Sequence, residues 1–108
     1  MQNLLLVYCT CPDRTKAQEL ANGLVRDRLA ACVSIGAPVT SVYAWQGEIQ
    51  NEQEVPLLIK TSSDRYQELE VAILARHPYE LPEIIAVPIQ QGLPDYLKWV
   101  QQCTSVDN

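Results

Sequence analysis

The residues best suited to bind a soft metal or attack an electrophile are four cysteines, Cys9, Cys11, Cys32 and Cys103, and a single histidine, His77. Thiolate and imidazole together suit copper or zinc. A thiol beside an imidazole is also the start of a nucleophilic pair, although the sequence offers no evident third residue to orient one. Cys9 and Cys11 are two positions apart, so a strand would put them on one face. No CxxC pair occurs, which argues against a structural zinc site. Each candidate also has a plainer use. Buried cysteines serve as small hydrophobes, and a histidine at a helix end can donate to the last carbonyls. Glu80 and Glu83 flank Leu81-Pro82 near His77 and could supply oxygen ligands. Glu48, Glu52 and Glu54 surround a turn and read as a solvated face. Tyr43, Trp45 and Trp99 read as core or interface anchors rather than a ligand platform. Gly23, Gly36, Gly47 and Gly92 are isolated, so no glycine loop is present to cradle phosphate.

The elements that must position these groups follow from periodicity and punctuation. Leu4 to Thr10 is an apolar run with Val and Tyr, a buried strand. Pro12 suits a first helical position and Asp13 a first turn. Ala17, Leu20, Ala21, Leu24 and Val25 recur at helical spacing, predicting a helix that ends near Leu29. Cys32 to Ile35 and Val39 to Trp45 read as one strand bent at Gly36-Ala37-Pro38. Gln46-Gly47-Glu48 turns the chain, and Val55 to Thr61 returns it, with Pro56 at an edge, bulge or strand start. Ser62, Ser63 and Asp64 offer caps to a second helix, which stops near Arg76 because Pro78 restricts His77. Ile84 to Ile89 is the last strand, and Tyr96, Leu97 and Val100 mark a short final helix. The order β-α-β-β-α-β-α predicts one α+β domain over residues 1–108, a ferredoxin-like split βαβ sandwich with an extra C-terminal helix. In that topology the late part of the first strand and the end of the second helix lie at one end of the sheet. Cys9 and His77 are thereby expected at the same end of the sheet.

Both long helices of this fold cover one sheet face, and the other should show polar residues at every second position if it meets water. Leu5, Val7, Cys9 and Cys11 point one way, whereas Leu4, Leu6 and Tyr8 point the other. Ile84 and Ile85 repeat the pattern. The final helix covers part of the second face, and a second copy of the chain is the simplest cover for the rest. The 108-residue chain is 47 % hydrophobic with a formal net charge of −5. Its eight basic residues are scattered, which argues against a nucleic-acid partner. No apolar stretch approaches a membrane span, and the N-terminus lacks a basic secretion leader. Free thiols in a reducing compartment are the expectation.

The sequence resembles the CutA family of divalent-cation tolerance proteins. The resemblance is carried by Cys9-Thr10-Cys11-Pro12-Asp13, Leu29-Ala30-Ala31-Cys32-Val33, Ser41-Val42-Tyr43-Ala44-Trp45-Gln46-Gly47, and Glu54-Val55 with Ile59-Lys60-Thr61. His77-Pro78-Tyr79-Glu80-Leu81-Pro82-Glu83-Ile84-Ile85, then Gly92 and Tyr96-Leu97-Lys98-Trp99, complete it. The resemblance implies a cytoplasmic homotrimer built through strand pairing between subunits, with an overall likeness to PII signalling proteins. It implies copper tolerance rather than catalysis, and it carries the copper positions onto Cys9 and His77. Some members have a second histidine where this chain has Arg76. Two other functions stay open on the residues: a PII-like regulatory trimer holding a small molecule or protein partner in clefts between subunits, and an enzyme, of which an acylphosphatase-like activity would be the obvious use of the fold.

Overall fold

The computed structural model describes residues 3–106. Five strands and three α-helices run in the order β1 (Leu4–Cys11), α1 (Arg14–Arg26), β2 (Cys32–Ile35), β3 (Val39–Trp45), β4 (Glu48–Ser62), α2 (Tyr66–Arg76), β5 (Ile84–Pro88) and α3 (Pro94–Cys103). A single 3-10 turn, Ser63–Arg65, leads into α2. The body of the sheet has the order β2-β4-β1-β5, and β3 pairs with the first half of β4. Every pairing is antiparallel. This is the expected split βαβ arrangement with its added C-terminal helix.

The returning strand is twice as long as the apolar run predicted. It begins at Glu48 rather than Val55, because the turn zips residues 48–54 onto β3 although that segment is mostly polar. Gln46 and Gly47 take φ of 53° and 83°. These left-handed values at both central residues make the two-residue turn that matches the twist of a hairpin. β2 and β3 follow β4 in succession, interrupted at 36–38. Pro56 faces that interruption: its carbonyl accepts from the Gly36 N–H at 2.9 Å. A strand residue turns its N–H and C=O to the same side, so the donor that proline lacks would have pointed into the gap.

Helix α1 starts at Arg14 because the Asp13 side chain is the cap, accepting from the Lys16 N–H at 2.8 Å. It ends at Arg26, three residues before the expected Leu29. Arg28 adopts φ of 61°, and Leu29 N–H and Arg28 N–H fold back onto the carbonyls of Leu24 and Val25 at 3.0 and 3.1 Å. That paired closure terminates helices. A glycine normally occupies the left-handed position. Here the Arg28 guanidinium is tied to the carbonyls of Gln102, in the last turn of α3, and Ser105, just past it, at 3.1 and 3.2 Å.

The core lies between the helices and one sheet face. Val7, Cys9 and Cys11 of β1 stand opposite Ile59, Leu57 and Val55 of β4, and they pack with Leu20, Leu24, Leu69 and Ile73. On the other face α3 covers only one end, through Leu4, Ala31 and Val100. Beyond it the rows Leu58–Tyr8–Ile85 and Lys60–Leu6–Val87 cross the sheet. Leu58, Ile85 and Val87 there are 40, 55 and 54 % exposed. The apolar second face expected from β1 is therefore present, and the chain by itself leaves most of it open.

Candidate functional site

At its C-terminal end β1 outruns β5, whose pairing stops at Cys9 opposite Ile84. The Thr10 carbonyl is left facing the place where β5 has not yet begun. His77, the C-cap of α2, fills that place: its Nε2 lies 2.7 Å from the Thr10 oxygen. A carbonyl can only accept, so Nε2 carries the proton. The other nitrogen, Nδ1, accepts the Tyr79 N–H at 3.1 Å. His77 is buried, and its tautomer is fixed by two backbone groups. The topological expectation holds to the extent that His77 bonds the residue next to Cys9.

Cys9 and Cys11 are both buried on the helix-facing side of β1. The thiol of Cys9 is held in its protonated form, its ionisation raised first by the hydrogen bond with Cys11 and then by burial. The same bond pulls the Cys11 thiol down. Cys11, not Cys9, lines a small recess with His77, Lys16, Glu19 and Arg76. Arg76 turns from that recess to Asp27, Nη2 to Oδ2 at 2.7 Å. The donor types, thiol and imidazole, fit a soft cation in kind. Their number is small: among the described residues no three His, Cys, Asp or Glu side chains gather as a metal cluster. Cys32 and Cys103 are half-buried and stand apart from this pair, beside Tyr96, whose ionisation is raised by burial and by both thiols.

A second feature lies across the sheet. A half-open cleft of about 620 Å³ is lined by Thr10, Tyr43, Trp45, Glu54, Tyr79 and Glu83 among others. Glu54 is not part of a solvated face as its neighbourhood predicted: it is 8 % exposed. Thr10 Oγ1 donates to its Oε2 at 3.1 Å, and the Tyr79 ring lines the same cleft. Tyr79 ionises well above the ordinary tyrosine range, first because it is desolvated and then because of that carboxylate. Tyr43, Trp45 and Trp99 are 42, 41 and 43 % exposed, so none is a core anchor. Composition and periodicity did not mark Glu54 out, and only its place in the segment Glu54-Val55 of the family resemblance did. Only the register, which places Thr10 opposite Pro56 two residues further along β4, brings its partner to it.

The sequence model of CutA1, the divalent ion tolerance protein, matches residues 5–103. The chain belongs to the CutA1 family. It is 46 % identical over 98 residues to the CutA homolog of Xenopus laevis, covering 91 % of this chain and 65 % of that protein. It thus spans less than two thirds of that longer relative. The divalent-cation tolerance protein CutA of Thermus thermophilus is 43 % identical over 99 residues, covering 92 % of this chain and 96 % of the relative. The Thermus structure superposes with a TM-score of 0.92, covering 94 % of this chain and 99 % of that one. A structure from Archaeoglobus fulgidus, described as a periplasmic divalent cation tolerance protein, has a TM-score of 0.90 at 34 % identity and covers 97 % of this chain and all of its own. The family is described by tolerance to divalent ions and not by a reaction. No described helix is long and apolar enough to cross a membrane.

Proposed function

We propose that this CutA1 chain is the subunit of a cytoplasmic homotrimer that binds copper through Cys9 and His77 and takes part in the response to divalent metal ions. One observation supports the assignment above the rest: the 2.7 Å bond from His77 to the Thr10 carbonyl fixes the imidazole at the strand end that carries Cys9. Histidines that ligate metals usually give their other N–H to a carbonyl or carboxylate, which sets tautomer and orientation. His77 has that hold through Nε2, which leaves Nδ1 as the ligating nitrogen once it releases the Tyr79 N–H. Bound copper would supply Lewis acidity and a thiolate-stabilised charge. Cys9 must lose its proton to bind, so uptake is coupled to proton release. With two donors per chain, further ligands come from another copy or from solvent.

Titration of the metal-free oligomer with copper against a competing chelator tests the assignment. Cys9→Ser and His77→Ala should each weaken binding by about tenfold or more, while Cys103→Ser leaves it unchanged. Unaltered affinity in His77→Ala would return His77 to a purely structural strand-end cap. A second reading, a PII-like regulatory trimer that holds a small molecule, is favoured by the cleft on the opposite sheet face.

A further inference from the structure

The charged groups lining the cleft are all acidic, Glu54, Glu80 and Glu83, with no lysine or arginine among them. Glu54 is the decisive one. The residue is more than nine-tenths buried, yet its hydrogen-bond partner, the Thr10 hydroxyl, and the Tyr79 hydroxyl that it acts on are neutral. None of the ion pairs among the described residues includes it. Buried charges are ordinarily paired with an opposite charge. A carboxylate has about four acceptor positions, so capacity remains. The walls beside it are aromatic. Tyr43 and Trp45 alternate along β3 and so present their rings to the same side, and each keeps about two fifths of its surface open. A cation over such rings is attracted by their π faces. The space, about 620 Å³, is that of an ordinary small-molecule site.

We propose that this cleft binds a small organic cation, a primary ammonium or guanidinium compound, with its charge against Glu54 and its apolar body between Tyr43 and Trp45. This deepens the small-molecule reading and rests on it. Its ligand-facing groups are not the proposed copper ligands: Cys9 lies in the core on the helix-covered side of the sheet, although Thr10 and Tyr79 touch both His77 and the cleft. A hard inorganic cation would use the carboxylates but gain little from the rings. A segment of a neighbouring copy could occupy the same space.

Equilibrium titration of the whole chain with benzylamine, and with benzyl alcohol as a neutral probe of similar size, separates these outcomes. A Trp99→Phe background assigns the emission change to Trp45. Benzylamine should bind saturably and raise the melting temperature, and benzyl alcohol should bind at least about tenfold more weakly. Glu54→Gln should remove that preference, and Tyr43→Leu should weaken the amine by about fivefold. The comparison of the two probes on the parent chain needs no variant, so a poorly folding Glu54→Gln leaves the test intact. Equal binding of amine and alcohol would overturn the cationic class while keeping a small-molecule site. Competition by magnesium or calcium chloride at lower concentration than benzylamine would overturn it in favour of a hard-cation site. An emission change that follows protein concentration and ignores both probes would show the cleft filled by another copy and overturn the small-molecule reading too.

Discussion

Single residues here do work that their types do not announce. Tyr79 is the clearest case: its backbone N–H holds His77 while its ring lines the cleft with Glu54. Desolvation, followed by the Glu54 carboxylate, raises its ionisation above the ordinary value of 10.0. Its neutral form therefore contributes stability that is complete below about pH 10 and is lost as pH rises through the folded-state value. Tyr79→Phe should lower the melting temperature near neutral pH and flatten its decline above about pH 10. Parallel melting curves for the two proteins across that range would refute the coupling. Cys9 and His77 were legible from sequence because strand and helix direction alone puts them at one sheet end. Glu54 was not, since its burial depends on which β1 residue stands across from it, and a single sequence does not contain register.

Among the elements, the hairpin of β3 and β4 has the least support from the body. Residues 48–54 pair with β3 alone, and isolated two-stranded ribbons are marginal in water. Its apolar residues are exposed: Val42 and Ile49 are 64 and 69 % exposed, and Tyr43 and Trp45 line the cleft together with Val42. The polar segment 48–54 hid this half of β4 from a reading based on apolar runs. The turn itself was visible, and its backbone sets the register. Gln46 pays a steric penalty at φ of 53° that asparagine tolerates better, and Gly47 at 83° has no comfortable substitute. Gln46→Asn should raise stability by about 0.5 kcal/mol, and Gly47→Val should lower it by about 1–3 kcal/mol. Urea unfolding of both variants checks the pair, and a neutral Gly47→Val would mean the hairpin is unformed in solution.

At the scale of the molecule, the chain is elongated, 47 Å against 25 and 22 Å. The open row of Leu58, Tyr8 and Ile85 is the surface that assembly would cover. Sedimentation equilibrium at micromolar concentration should give three times the chain mass, and a monomer mass would defeat the trimer. Ile85 and Leu74 are about equally exposed, at 55 and 53 %, but Ile85 belongs to the open sheet face and Leu74 to α2. Ile85→Lys should release smaller species, and Leu74→Lys should not. The two-sided apolar pattern of β1 made this face legible in sequence, whereas the extent of cover by α3 required its packing on Leu4 and Ala31.

The fifteen-residue β4 is paired at one end with its sequence neighbour and at the other with the distant β1. That arrangement sets an order in time. The local ribbon can close within about 1–10 μs, before the chain has bridged the much larger gap to β1. Once zipped, it fixes the alternation along the whole of β4 and so decides which side chains β1 will meet. Stopped-flow refolding of Gly47→Val should accordingly show its loss in the folding rate, with the unfolding rate nearly unchanged. The reverse partition would mean that β1 docks first and the ribbon forms on a finished body.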